Sequence, residues 1–376
     1  MPESIPLQAF LSSPADASRR TGPHDRIVLT SRVRLARNLK SFAFPGWAKK
    51  AERLQVLDLI RQAVASLPPL QDGFAESMDV LSPLDKQILV ERHLISREHA
   101  ARNAGSGWLL SRDEVLSVMI NEEDHLRMQV LLPGLQIRQA WETINQFDSS
   151  LEKLLDYAFS PEIGYLTACP TNVGTGIRVS AMLHLPGLVL AEHINQIIQA
   201  VNKLSFAVRG FYGEGTEALG NIFQVSNQMT LGEAEIEIVE RLIKVLAQVI
   251  ESEENARALL LEKQPAVVCN QIGRAYGILA HAHIIASKET MNQLSLLRLG
   301  LDLGMFPGLD RSLVDELFLV TQPGHLQQRC SEKLPADERD QRRADLLRER
   351  LSAVSRPVMP PRRSSSGPSL DKSASV

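Results

Sequence analysis

The sequence is poor in cysteine, with three in 376 residues, an odd number. That excludes a disulfide framework and leads us to expect a reducing, cytosolic setting. Long apolar runs are missing too. The most apolar stretch, residues 183–189, is interrupted by His184 and Pro186, so no membrane-spanning helix of about 18 residues is expected. Residues 1–21 carry no basic segment leading into an apolar one, and no secretory signal is expected. Excess positive charge is absent, since 41 Lys and Arg stand against 44 Asp and Glu, a formal net charge of −3. This excludes nucleic-acid binding driven by net charge. Several catalytic signatures are lacking. There is no G-x-x-x-x-G-K-[ST] loop to cradle phosphates, and no H-R-D or D-F-G pair. The nine histidines form no H-E-x-x-H and show no metal-ligand spacing.

What is present is an ordinary globular composition, long enough for two or three domains at about 150 residues each. "DRIVLTSRVRLARNL" alternates apolar and basic residues, which predicts a strand with arginines on one face. Residues 49–67 place Leu54, Leu57, Ile60, Val64 and Leu67 at helical spacing, ended by Pro68 and Pro69. "VLSVMINEEDHLRMQVLLPG" predicts two strands with a charged junction, and residues 138–158 a helix. Residues 164–186 read as a glycine-punctuated loop between strands, "INQIIQAVNKL" as a helix, and "SFAVRGFYGEG" as a strand ending in a glycine loop. A long helix is predicted over 232–263, with Ile236, Val239, Ile243, Leu246 and Ile250 on one stripe. Residues 266–351 read as helices throughout. The expected organisation is a flexible lead-in at 1–24, a mixed domain at 25–258, a helical domain at 259–354 and a disordered Ser/Pro/Arg-rich tail at 355–376.

Chemistry-bearing residues fall at strand ends and beside glycines. Arg32, Arg34 and Arg37 share a strand, Arg127 follows an acidic cluster, Arg178 ends "CPTNVGTGIR", and Arg209 opens "RGFYGEG". Converging guanidinium groups make an anion trap, because each planar fork can donate two parallel hydrogen bonds to a phosphate. The plain alternative is a set of solvated surface charges. Glu122, Glu123 and Asp124 lie between two strands, and Glu214 lies between two glycines, where a ligand can approach closely. Two facing carboxylates could hold a planar cation and take its proton; the alternative for the first group is a polar hairpin turn. Cys169 sits in the glycine loop with no identifiable base, and Cys269 and Cys330 read as structural.

Four motifs in order, "SRVRLARN" (31–38), "NEEDHLR" (121–127), "CPTNVGTGIR" (169–178) and "RGFYGEGTEALGNIFQVSNQMTLG" (209–232), resemble the ATP:guanidino phosphotransferases, the creatine and arginine kinases. "RDQRRA" (339–344) and the short segment before "DRIVLTSR" resemble the protein-arginine branch of that family. The resemblance implies an α+β fold, a largely antiparallel sheet flanked by helices, followed by a helical C-terminal domain that mediates homodimerisation. It implies phosphoryl transfer from ATP, with Mg²⁺ and no protein-bound metal site, to arginine side chains of proteins. Arg32, Arg34, Arg127, Arg178 and Arg209, with His93, would hold the ATP phosphates. The nucleotide segments would be residues 30–34 (Thr30, Ser31, Arg32, Val33, Arg34), 178–182 (Arg178, Val179, Ser180, Ala181, Met182) and 209–214 (Arg209, Gly210, Phe211, Tyr212, Gly213, Glu214). Glu122 and Glu214 would grip the acceptor guanidinium, with Glu122 as the base and Cys169 tuning the site. Arg339, Asp340, Arg343 and Ala344 would form an allosteric phosphoarginine site. Implied partners are protein substrates with exposed arginines, a heat-shock repressor, a zinc-finger activator and a Clp ATPase, with neither membrane nor direct nucleic-acid contact. Two alternatives stay open: a kinase of free arginine, and a non-catalytic phosphoarginine-binding protein.

Overall fold

The computed structural model describes residues 10–11, 21–210, 218–330 and 332–359. Its centre is an eight-stranded sheet built from β1 (Val28–Arg37), β2 (Phe74–Ser77), β3 (Gly107–Leu110), β4 (Leu116–Ile120), β5 (Leu126–Pro133), β8 (Ile177–His184), β9 (Phe206–Gly210) and β10 (Ile222–Asn227). A small hairpin, β6 (Phe159–Ser160) with β7 (Gly164–Tyr165), stands apart. The order in the large sheet is β2-β3-β4-β5-β1-β8-β10-β9, and every pairing is antiparallel.

Alternation gives the central strands two unlike faces. On one face Val33 lies between Val130 and Val179, and Leu35 between Met128 and Ile177. This face is covered by α4 (Ile137–Glu152) and α7 (Glu235–Lys263). Ile137, Ala140, Ile144, Phe147 and Leu151 of α4 recur at three- and four-residue intervals and are all buried. On the other face Arg34 lies between Gln129 and Arg178, and Arg32 between Leu131 and Ser180. Met182 lies between Thr30 and Gln224, and Gln224 lies beside Arg209.

The remaining helices are α1 (Lys50–Ala65), α2 (Pro83–Glu91), α3 (Arg97–Ala100), α5 (Pro186–Leu190), α6 (Ile194–Lys203), α8 (Pro265–His281), α9 (Ser287–Asp302), α10 (Arg311–Val320), α11 (Pro323–Gln328) and α12 (Ala336–Leu351). α2 starts where its sequence dictates. The Ser82 hydroxyl accepts from the Asp85 N–H at 3.1 Å, the Asp85 carboxylate accepts from the Ser82 N–H, and Pro83 fills the first helical position. The long helix breaks at Gln264, before Pro265, and the helices beyond it enclose a second core around Ile272, Leu294, Leu297, Val314, Leu317 and Leu347.

Four details depart from the sequence reading. Phe10 and Leu11, inside the expected flexible lead-in, are buried in a third apolar cluster with Met78, Ile88, Leu89 and Trp108. The helix predicted over 138–158 stops at Glu152, because the following residues return to the strand end: Lys40 donates to Asp156 and Ala158 donates to Asn38. Leu54 and Ile236 are exposed, and the buried stripes pass instead through Val56 and Ile238. Arg37 does not belong with Arg32 and Arg34. It projects into the apolar side, 1% exposed, where it donates to Asp148 at 2.6 and 3.0 Å and to the Thr175 carbonyl at 2.8 Å, and lies 3.6 Å over the Tyr165 ring. Asp148→Ala would strip this buried guanidinium of its principal partner and leave it only the longer carboxylate contact, to Glu235 Oε1 at 3.4 Å. It is expected to lower the unfolding free energy by about 3–5 kcal/mol in a denaturant titration, and a loss below about 1 kcal/mol would mark the pair as incidental.

Candidate active site

The basic face forms one wall of a cavity of about 1470 Å³, lined among others by Arg32, Arg34, His93, Arg127, Arg178 and Arg209. Arg32 gives its donors to neutral partners, Gln224 Oε1 at 3.0 Å and Ser180 Oγ at 3.4 Å. Burial, then repulsion from Arg127 and Arg178, pushes its guanidinium down to about 10. Arg34 is pushed well below the ordinary arginine value by burial first and then by Arg32, Arg127 and Arg178. Arg178 is lowered by burial, then by Arg209 and Arg127. Arg34 Nε and Thr30 Oγ1 are buried with no hydrogen-bond partner. Like charges held together out of water with unfilled donors cost free energy until an anion arrives. A polyphosphate fits that demand. Within the expected nucleotide segments, Ser31, Val33, Val179 and Ala181 point to the other side or are fully buried and act as framework, whereas Thr30, Arg32, Arg34, Arg178, Met182, Arg209 and Gly210 line the cavity. Phe211, Tyr212, Gly213 and Glu214 lie outside the described residues.

His93 follows α2 in a left-handed conformation, φ 60°, and lines the same wall. Burial, then the Arg32 charge, pushes its imidazole down to about 4, so it meets a ligand as a neutral ring. His99 and His125 are also pushed down to about 4, chiefly by burial. Their folded values lie below the unfolded value of about 6.5, so the stability they confer is complete above pH 6.5 and is lost as pH falls towards 4. His184 is held well below the ordinary value too, by burial and then by Arg298 and Arg257, so with up to four extra protons on the unfolded chain stability is expected to fall by as much as about 5 kcal/mol per pH unit in that window. Denaturant midpoints between pH 7 and 4.5 check this, and a flat profile contradicts it.

The acidic junction lies in the β4–β5 connection, which is tightly pinned. Asn121, φ 55°, donates to the Arg53 and Gly105 carbonyls at 2.8 and 2.6 Å, and the His125 N–H donates to Asn38 Oδ1 at 2.9 Å. Glu122, expected to hold the acceptor, is fully buried. Arg127 Nη1 donates to both its oxygens at 2.7 Å, and the Ser96 hydroxyl donates to Oε1. Although burial opposes it, the Arg127 charge brings this carboxyl down to about 2. Glu122 is therefore taken up by an arginine that lines the cavity. Its neighbour Glu123 is the carboxylate that is exposed and lines the cavity, and burial followed by repulsion from Asp124 and Glu122 raises it above the ordinary range. Sequence reasoning passed over Glu123 because adjacent residues in a tight connection can turn either way. One signal was available: counting by twos from Arg127 reaches Glu123.

Asp124 was also passed over. Its carboxylate accepts from Asn38 Nδ2 and from the Ala168 N–H, both at 2.6 Å, which ties the cysteine loop to the acidic hairpin. Cys169 is half-buried, lines the cavity, has its Sγ 3.0 Å from Thr171 Oγ1 and lies close enough to Arg178 to act on its charge. At the end of this loop Gly176, φ 65°, runs so close to β1 that an added Cβ would lie 2.6 Å from the Ala36 carbonyl oxygen. The cavity thus has cations along the sheet and a carboxylate and a thiol at one end. In the helical part, Arg343 is 1% exposed and donates to the Thr321 and Ile285 carbonyls at 2.8 and 2.9 Å and to Asp340. Ala344 is buried, whereas Arg339 and Asp340 are half-buried and Gln341 and Arg342 are exposed.

Residues 55–256 match the family model described as ATP:guanido phosphotransferase, C-terminal catalytic domain, and residues 265–362 match the protein-arginine kinase McsB C-terminal domain. The chain is 48% identical over 347 residues to the protein-arginine kinase of Halalkalibacterium halodurans, covering 92% of this chain and 98% of that one. It is 47% identical over 348 residues to the protein-arginine kinase of Bacillus licheniformis, covering 92% of this chain and 96% of that one. Among solved structures, the duplicated taurocyamine kinase of Schistosoma mansoni shares the fold with a TM-score of 0.57 and 24% identity, over 63% of this chain and 35% of that one. With these matches joined to the antiparallel sheet and its basic face, the chain belongs to the ATP:guanido phosphotransferases, and within them to the protein-arginine kinases.

Proposed function

We propose that the chain transfers the γ-phosphoryl group of ATP to the guanidinium of arginine side chains in proteins. The observation that carries this reading is the arrangement in one cavity of an arginine face, in which Arg34 Nε has no partner, together with Glu123 and Cys169. Arg32, Arg34, Arg127, Arg178 and Arg209 hold the phosphates and spread the charge that develops on the transferred group. Neutral His93 donates or accepts beside them. Glu123 holds the acceptor guanidinium, which is protonated in solution and a poor nucleophile. As the N–P bond forms and the Pγ–O bond to ADP breaks, the guanidinium proton passes to Glu123. Glu214 is the second carboxylate that the resemblance assigns. Cys169 polarises the acceptor and forms no covalent bond. No three His, Cys, Asp or Glu side chains among the described residues stand together as a metal cage, and Mg²⁺ enters as the partner of the ATP phosphates, whose charge it neutralises.

The family resemblance supports a wider setting. The enzyme would work in the cytoplasm as a homodimer, under a zinc-finger activator. It would mark proteins, a heat-shock repressor among them, for a Clp ATPase and its protease. Arg339 and Asp340 would receive a phosphoarginine side chain, with Arg343 and Ala344 as the buried support. The test of the central activity compares an unstructured, arginine-bearing protein with free arginine, each given ATP, Mg²⁺ and enzyme and kept from acid. Transfer to the protein and not to the amino acid supports the reading. Transfer to free arginine alone moves the chain to small-molecule kinases, and transfer to neither under any condition leaves a binding protein.

A further inference from the structure

α2 ends on a residue that its own helix does not favour. Glu91 is the last residue of α2, and a carboxylate in the last turn faces the negative end of the helix dipole, where a cation is preferred. A residue set against its local preference points to a partner elsewhere. That partner is α11 of the helical part. Glu91 Oε1 accepts from the Gly324 N–H at 2.7 Å, and Oε2 accepts from the His325 N–H at 3.1 Å. Both amides belong to the first turn of α11 and have no acceptor within their own helix. Oε2 also lies 2.7 Å from His325 Nδ1, and Gln87 Nε2 donates to Oε1 at 3.0 Å. The Glu91 and His325 side chains are 9% and 7% exposed. The close approach requires a glycine, since a Cβ added at Gly324 would lie 2.9 and 3.0 Å from the two carboxylate oxygens.

The next two residues carry this fixation to the cavity. Arg92 is buried, and its Nε donates to His325 Nε2 at 3.4 Å. A guanidinium only donates, so His325 Nε2 is the accepting nitrogen and the ring proton sits on Nδ1, facing Glu91. Arg92 Nη2 donates to the Leu11 carbonyl at 2.9 Å, and its guanidinium carbon lies 5.0 Å from the centre of the Phe10 ring. His93 then turns back through φ 60°. Its N–H donates to the Val90 carbonyl at 3.0 Å, and its carbonyl accepts from Gln129 Nε2 at 2.7 Å. Gln129 is the β5 residue beside Arg34. The His93 ring thus meets the cavity where the Arg32 charge acts on it. α11, at the other end of this chain of contacts, is anchored in the helical core by buried Leu326.

We propose that Glu91 is a positioning residue for the transfer reaction, through which the helical domain holds the end of α2 and sets His93 against the phosphates. The inference rests on the reading of His93 as part of the phosphate site and adds what fixes it there. Glu91 acts through two backbone amides and one imidazole of α11, and needs no contact with the reacting groups. Without its carboxylate these three donors lose their acceptor, and Arg92 loses the orientation of His325. A left-handed turn at a residue other than glycine is strained and persists only while its surroundings hold it. His93 is therefore the residue that shifts when the clamp opens.

The test is a double-mutant cycle on the full chain, read by calorimetric titration with ATP. His93→Ala and Glu91→Ala are each expected to weaken ATP by about fivefold, the loss of roughly one hydrogen bond. In the double variant the affinity is expected to stay within about twofold of His93→Ala alone, because the carboxylate acts through a ring that is already gone. Gly324→Ala displaces the carboxylate from the helical side while leaving every other side chain in place, and the same loss and the same dependence on His93 are expected. The Glu91 cycle decides wherever Glu91→Ala gives a cooperative urea transition, and the Gly324 cycle decides where it does not. Losses that multiply in the double variant overturn the proposal, since Glu91 would then be only structural. So does unchanged affinity in the deciding single variant while His93→Ala weakens ATP. Unchanged affinity in His93→Ala overturns the reading of His93 as a phosphate contact, and this inference with it.

Discussion

Glu123→Gln is expected to cut phosphoryl transfer by about 10²–10⁴-fold, the usual range for a general base, while leaving the unfolding midpoint and ATP binding close to wild type. Glu123 is exposed on the cavity and makes none of the contacts that pin the hairpin. Glu122→Gln is expected to behave differently. It removes the charge of the carboxylate that Arg127 grips with two hydrogen bonds, leaving a largely buried guanidinium with only the weaker attraction of Glu123 and Glu98, so stability falls by about 3 kcal/mol and the phosphate arginine loosens. The pH profiles separate the two roles further. Glu123 must be ionised to take a proton, and its carboxyl is raised, so wild-type transfer falls as pH drops through that raised value. Glu123→Gln erases this limb. Should Glu122→Gln abolish transfer at unchanged stability while Glu123→Gln is silent, the assignment of the two glutamates must be reversed.

Arg34→Met is expected to make the nucleotide-free protein more stable and nearly inactive. Arg34 is half-buried beside Arg32, Arg127 and Arg178; desolvation first and then these charges depress its pKa, and its Nε has no partner. Replacing an uncompensated buried charge by an apolar chain of similar length stabilises by about 1–4 kcal/mol. The same change removes an arginine that faces the transferred phosphate, and such arginines contribute about 10³–10⁵ to the rate. Opposite signs in the two measurements, urea unfolding without nucleotide and turnover with it, are the mark of a site that stores repulsion for its ligand. A variant that unfolds earlier and still turns over would make Arg34 an ordinary structural residue.

Much of this arrangement is written in the sequence as period. Two-residue alternation through Arg32 and Arg34 puts the arginines on one face of β1 and Val33 and Leu35 on the other. The same count sets Arg37 on the apolar face, where it is found. Its partner Asp148 lies more than a hundred residues away, and no local pattern joins them. The end of α4 is not legible because no glycine or proline directly follows Glu152, and the stop comes from long-range pairing of Asp156 with Lys40 and of Ala158 with Asn38. The choice between Glu122 and Glu123 depends on which carboxylate Arg127 captures, a tertiary fact. The motif at 339–344 gave its residue types and not their directions, and Arg343 spends its guanidinium on two backbone carbonyls inside the helical core.

The most direct measurement is localisation of the transferred phosphate by mass spectrometry under non-acidic conditions. An unfolded protein carrying arginine, serine, threonine, tyrosine and histidine would be incubated with the enzyme, ATP and Mg²⁺. The account predicts phosphate on arginine side chains, absent when the enzyme carries Glu123→Gln. Phosphate on hydroxyl groups or histidine, or arginine phosphorylation that survives the loss of Glu123, would contradict it.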